Sequence, residues 1–156
     1  RLAQMEKAGL LDGIITQNID GLHQRAGSCN VQEIHGSTLR NYCMKCHEKY
    51  PSDYIFKSAG DLPRCQRCNG IVRPDVTLYG EGLPRNAWIE SKRLVDNADC
   101  LIIGGTSLAV QPAASLTYDF RGRYLIVINR DITSRDSDAT LVFHESISGV
   151  LDKIVI

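Results

Sequence analysis

The sequence predicts an α/β fold, a partial Rossmann-like parallel sheet with helices on both faces and a small inserted zinc-ribbon module. Three observations lead there. Short continuous apolar runs, Leu101-Ile-Ile103 and Leu125-Ile-Val-Ile128, alternate with helix-like segments, as in a parallel sheet buried on both sides. Four of the six cysteines stand in two C-x-x-C pairs. Only about four strands are clear, fewer than the roughly six of a complete doubly wound sheet.

Each element has a local reason. Arg1 to Gly9 reads as a helix, with Leu2, Met5 and Lys7 in helix-forming company. No capping residue precedes it and the first methionine is Met5, so the chain is expected to open inside a helix of a longer protein. Asp12-Gly13 punctuates, and a strand runs from Ile14 to near Gln17. A polar loop covers Asn18 to Ser28, and Val31 to Ile34 is a second short extended run. Residues 1–40 and 74–156 are assigned to the Rossmann-like domain. Residues 41–73, rich in cysteine, charge and turn residues, are assigned to the inserted module.

Pro74 to Glu81 reads as extended, and a helix is expected over Arg85 to Asn97. Another helix should span Ala113 to Phe120, with Pro112 near its first turn, where a missing N–H is harmless. A strand over Ala139 to Phe143 and a helix over Ser148 to Val155 complete the reading. Ile89, Leu94 and Leu116 are read as core, Trp88 as packing, and Cys100 as a buried thiol at the head of an apolar strand. Cys29 receives no assignment.

Composition bounds the function. The 156 residues fit one domain, and 43% hydrophobic with 23% charged residues is ordinary for a globular protein. A formal net charge of zero gives no general attraction to nucleic acid or to an anionic membrane, and neither is expected as a partner. No apolar run approaches membrane-spanning length. Paired cysteines without an export signal place the protein in the cytoplasm or another reducing compartment.

Cys43-x2-Cys46-x18-Cys65-x2-Cys68 has the spacing of a zinc ribbon. Each C-x-x-C turn aims two thiolates at one ion, and two turns fill a tetrahedral Zn²⁺. With four protein ligands no position is left for water or substrate, so the expected zinc is structural. His47, beside Cys46, is a weaker competing ligand.

Four further runs carry polar chemistry. Thr16-Gln-Asn-Ile-Asp20 leaves the C-terminal end of a strand, the edge where open parallel sheets bind ligands, although Asn and Asp also cap their own loops. His35-Gly36-Ser37 offers an imidazole that titrates near neutrality, followed by a glycine that allows close approach; a lone histidine is more often structural. Gly104-Gly-Thr-Ser107 is a strand-to-helix turn of the phosphate-binding type without the full G-x-G-x-x-G spacing. Asn129-Arg-Asp131 follows a buried strand, and could meet a ribose or simply end the strand.

Taken in order, these runs resemble the sirtuins. The resemblance rests on Ile15 to Gly27 (ITQNIDGLHQRAG), His35-Gly36-Ser37, the four cysteines, Arg73 to Glu81 (RPDVTLYGE), Gly105-Thr-Ser107 and Ile128-Asn129. It implies NAD-dependent removal of acetyl or other acyl groups from protein lysine, releasing nicotinamide and an acyl-ADP-ribose. It implies His35 as general base on a ribose hydroxyl, with Asn18 beside it in the catalytic set. Gln17, Asn18, Ile19 and Asp20 would line the nicotinamide and ribose pocket. Gly105, Thr106 and Ser107 would meet phosphate and ribose, and Asn129 the adenosine ribose. Val76, Thr77, Tyr79 and Gly80 would pair with an acyl-lysine peptide by strand addition. Thr77 stands where the family usually has an aliphatic residue and Tyr79 where it often has Phe, which bears on acyl preference. The family's first strand and Gly-Ala-Gly loop belong upstream of Ile14 and are not among these residues. The 156-residue chain alone is therefore expected to bind NAD poorly and to turn over little. The alternatives are a non-enzymatic zinc-ribbon binding module, and a sirtuin-like subunit that acts through interaction.

Overall fold

A computed structural model describes residues 1–58 and 60–156. In chain order its elements are α1 (Leu2–Lys7), β1 (Ile14–Thr16), α2 (Leu22–Arg25), β2 (Val31–Glu33), β3 (Gly36–Cys43), β4 (Lys49–Pro51) and α3 (Asp53–Phe56). Then follow β5 (Val72–Val76), α4 (Arg85–Asn97), β6 (Cys100–Gly104), α5 (Leu116–Asp119), β7 (Tyr124–Ile128), β8 (Leu141–Phe143) and α6 (Ile147–Leu151).

The apolar runs become parallel strands. β6, β7 and β8 form one parallel sheet in that order, with Ile103 opposite Val127 and Ile128 opposite Phe143. Successive side chains in a strand point to opposite faces, and this sheet uses both. Leu101, Ile103, Leu125 and Val127 pack with Val95 of α4 and with Phe120. Ile102, Ile126 and Ile128 pack on the other side with Val150 and Leu151 of α6 and with Leu2 of α1. Helices therefore cover both faces, as the unbroken apolar runs require.

β1 and β2 make a second parallel pair, Ile14 opposite Val31 and Thr16 opposite Glu33. It joins the larger sheet through side chains, with Ile15 touching both neighbouring clusters. The third sheet is antiparallel, in the order β4–β3–β5. Its long central strand, β3, runs from the residue after His35 directly into the first zinc-ribbon cysteine. The sequence gives no alternation signal there, because exposed Leu39 and Arg40 interrupt the buried positions.

Several expectations need correction. The extended stretch from Pro74 ends at Val76, because Gly80 takes φ +86° and the Glu81 N–H returns to the Leu78 carbonyl at 3.0 Å, closing a turn. The helix from Ala113 opens as a 3-10 turn, and its α-helical part is only Leu116–Asp119. Ile89 is half exposed, since α4 turns Ser91 and Val95 inward. Ser91 tolerates that burial by donating its hydroxyl to the Ala87 carbonyl at 2.7 Å. Cys100 is exposed at the start of its strand and is not a core thiol. Trp88 packs against the Ile34–Ala113–Leu116 cluster, as read.

Candidate functional site

The site begins at the C-terminal ends of β1 and β2. Because these strands are parallel and in register, both chains leave the sheet at the same edge. β1 delivers Gln17 to Asp20 there, and β2 delivers Ile34 and His35. Cross-bonds tie the two exits together. The Ile34 N–H donates to the Thr16 carbonyl at 3.1 Å, and the Thr38 N–H and hydroxyl both donate to the Ile19 carbonyl at 2.9 Å.

His35 is oriented by one contact. Its Nδ1 lies 3.1 Å from the Gln17 carbonyl oxygen. A carbonyl only accepts, so Nδ1 carries the hydrogen and the neutral ring keeps its lone pair at Nε2. The next residue is Gly36, at φ +78° and opposite Val76 in the antiparallel ladder. A Cβ at Gly36 would sit 2.0 Å from the Asp75 carbonyl oxygen, so only glycine allows this approach. The Thr77 N–H then donates to the His35 carbonyl at 3.0 Å and brings the end of β5 onto the histidine.

These segments line an open cavity of about 860 Å³. Gln17, Asn18, Ile19, Asp20 and His35 line one part of it, and Val76, Thr77, Leu78, Tyr79, Gly80 and Glu81 another. Leu83, Val110, Gln111 and Pro112 complete the wall. All the candidate catalytic and peptide-binding residues therefore share one space. The loop-capping alternative for Asp20 is realised as well, since its Oδ1 accepts the Leu22 N–H at 3.0 Å. Asn18 stays exposed, its backbone N–H on the Thr16 hydroxyl at 3.1 Å.

Gly105, Thr106, Ser107 and Asn129 are placed elsewhere. They follow β6 and β7 at the C-terminal edge of the larger sheet and do not line the cavity. Gly105 takes φ +61° and donates its N–H to the Ile128 carbonyl at 3.1 Å, which sets the turn beside Asn129. The Thr106 hydroxyl accepts the Leu108 N–H at 3.2 Å, and the Asn129 amide donates to the Asp131 carbonyl at 2.8 Å. Val110 to Pro112, downstream of Ser107, connect this edge to the cavity wall. Sequence reasoning missed that apolar segment because, apart from Gln111, it carries no chemistry-bearing side chain.

The metal centre is compact. The sulfurs of Cys43, Cys46, Cys65 and Cys68 all lie within 4.8 Å of one another, and two of the pairs are 3.5 Å apart. Four sulfurs about 2.3 Å from one zinc ion would be roughly 3.8 Å apart, so the donor set fits a tetrahedral structural zinc. His47 is not in the cluster; it is exposed and its ring stacks on Tyr42. The Tyr50 hydroxyl donates to the Cys65 sulfur at 3.2 Å and holds that thiol down to about 6, with burial opposing. Gly70 is required here too, since a Cβ would stand 2.9 Å from the Cys43 sulfur.

Comparison with known proteins gives concordant likenesses. A family model described as the Sir2 family matches residues 1–112. The chain is 53% identical over 155 residues to the NAD-dependent protein deacetylase of Clostridium perfringens. It is 50% identical over 154 residues to that of Clostridium acetobutylicum. Each match takes in 99% of this chain but 63% of the relative, so the chain spans less than two thirds of the length of these relatives. A solved structure described as the structural basis for sirtuin substrate affinity superposes with a TM-score of 0.93 at 39% identity, over 97% of this chain and 67% of that one. A Sir2–p53 peptide–NAD+ structure superposes with a TM-score of 0.90 at 39% identity, over 97% and 65%.

Proposed function

Because the chain belongs to the Sir2 family, we propose that it forms the acyl-lysine-binding and zinc-bearing part of an NAD-dependent protein deacylase. The observation that carries this reading is the convergence of His35, the Gln17–Asp20 loop and the Val76–Gly80 segment on one cavity. His35 is the general base, its free Nε2 accepting a proton from a ribose hydroxyl as that hydroxyl attacks the acyl carbon. Asn18 stands with it in the catalytic set. Gln17, Asn18, Ile19 and Asp20 would hold the nicotinamide end of NAD, which would supply the ribose carbon that takes the acyl oxygen as its bond to nicotinamide breaks. Gly105, Thr106, Ser107 and Asn129 hold phosphate and the adenosine ribose. Val76, Thr77, Tyr79 and Gly80 pair with the peptide backbone. The relatives named NAD-dependent protein deacetylases and the solved Sir2 complexes with acetylated peptide support this assignment.

Residues 41–73 act as the inserted module, with residues 1–40 and 74–156 as the nucleotide-binding domain. The location is the cytoplasm or another reducing compartment, in keeping with six free thiols, four of them set for a metal. Among the described residues no helix is long and apolar enough to cross a membrane. The 156-residue polypeptide alone binds NAD weakly, because no Gly-Ala-Gly phosphate loop is among its residues. Calorimetric titration tests both halves of the reading. An acetyl-lysine peptide binds and its unacetylated form does not, while NAD alone gives weak saturation. Equal affinity for acetylated and unacetylated peptide would sink the assignment.

A further inference from the structure

We propose that the ion pair between Arg73 and Glu81 is a positioning device, which holds the rim of the cavity from Val76 to Gly80 in the shape an extended peptide requires. This rests on reading the cavity as an acyl-lysine peptide site. Beyond Val76 the Thr77 N–H still bonds across to the His35 carbonyl at 3.0 Å, but from Leu78 onward the antiparallel sheet no longer fixes the segment's shape.

Arg73 replaces that support. Its side chain is only 16% exposed, beneath the turn. Nη2 donates to the Val76 carbonyl at 2.7 Å and to one Glu81 oxygen at 3.0 Å, and Nη1 donates to the other at 2.5 Å. The Glu81 carboxylate also accepts the Leu78 N–H at 2.9 Å. One fork thus fixes the start and the end of the rim, and the carboxylate fixes its middle. The planar guanidinium suits this task because it presents several donors in a rigid geometry.

Between these anchors the backbone is left open. The Thr77 carbonyl and the backbone groups of Tyr79 and Gly80 make no internal hydrogen bond among the described residues. Tyr79 is 99% exposed. A rim pinned at both ends with open backbone groups between them is preorganised for strand-like pairing with a peptide. Among the described residues no hydrogen bond joins Arg73 or Glu81 to the Gln17–Asp20 loop, so the clamp acts on the peptide side of the cavity.

The test uses Glu81→Gln and Arg73→Lys in the 156-residue chain. Glu81→Gln keeps an oxygen for the Leu78 N–H but loses the charged fork. Arg73→Lys keeps the charge, yet its single ammonium cannot span three acceptors. Amide exchange at Leu78 should accelerate about tenfold or more in both. If the competent rim falls to about a tenth of molecules, acetyl-lysine peptide Kd rises about tenfold. NAD affinity and zinc content stay at their wild-type values. Unchanged exchange at Leu78, peptide affinity within about twofold of wild type, or equal loss of NAD and peptide affinity would each overturn the proposal. A wild-type chain that binds no acetylated peptide fails the functional reading instead, and exchange at Leu78 then decides the clamp alone.

Discussion

The role proposed for His35 rests on a backbone contact. The Gln17 carbonyl fixes the ring hydrogen on Nδ1 and leaves the Nε2 lone pair free for the proposed role of general base. Replacing His35 by Ala in an active form of the enzyme should lower turnover by about 10²–10⁴-fold and leave acetyl-lysine peptide affinity nearly unchanged; initial rates and titration together check this. Gly36 is the residue that admits β5 to the histidine. Gly36→Ala combines a left-handed φ with a 2.0 Å overlap on backbone. It should lower stability by more than the ~1–3 kcal/mol typical of left-handed strain alone, measured by urea unfolding. Arg73 first, then the Leu78 N–H, holds the Glu81 carboxyl down to about 2, well below its ordinary value. A depressed carboxyl contributes above its unfolded value and loses that contribution as pH falls through the folded one. The rim should therefore keep its order from neutral pH to about pH 4 and lose it toward pH 2, which exchange at Leu78 can follow. The motif residues were legible singly, as polar side chains at strand ends. The clamp was not, because an Arg and a Glu eight positions apart become partners only after the chain turns at Gly80.

Among the elements, the zinc ribbon depends most on something outside its own packing. Its buried cluster is Cys43, Cys65 and Val72, joined by Cys46, Cys68 and two tyrosines, so among the described residues a single aliphatic one supports it. Structural zinc contributes roughly 10–16 kcal/mol in finger peptides, far more than one valine and two tyrosines can replace. Chelation or Cys65→Ser should release one zinc per chain and unfold the ribbon before the parallel sheet. The sheet's near-ultraviolet signal should outlast ribbon proteolysis. The parallel strands stand differently, on side chains buried from both faces. Ile128, 2% exposed, should cost about 2–5 kcal/mol as Ile128→Ala, read by thermal unfolding. Periodicity exposed those strands because continuous apolar runs have few other uses. It did not expose β3, whose buried positions Ser37 and Asn41 are polar and whose exposed Leu39 is apolar. Tertiary hydrogen bonds, such as Asn41 Nδ2 to the Pro51 carbonyl at 2.7 Å, override the pattern there.

For the whole molecule, two parallel sheets meet through side chains, and the candidate catalytic and nucleotide-binding residues fall along their C-terminal edges. The rule that open α/β sheets bind at that edge made the site's general location readable from strand order and motif position. It did not give the rest of the cavity wall. Val110, Gln111 and Pro112 reach the cavity from a segment whose sequence reads only as a helix approach. The chain spans 63% of the relatives' length, and Gly105, Thr106, Ser107 and Asn129 stand apart from the cavity that holds His35. On the proposed reading this chain carries the acyl-transfer part of a deacylase. The most direct measurement joins it to the part of the Clostridium perfringens relative that lies outside their match, and follows acyl-ADP-ribose from NAD and an acetyl-lysine peptide. Steady formation of that product, abolished by His35→Ala, is the expected result. A folded, zinc-loaded chimera that binds NAD and forms no acyl-ADP-ribose would contradict it.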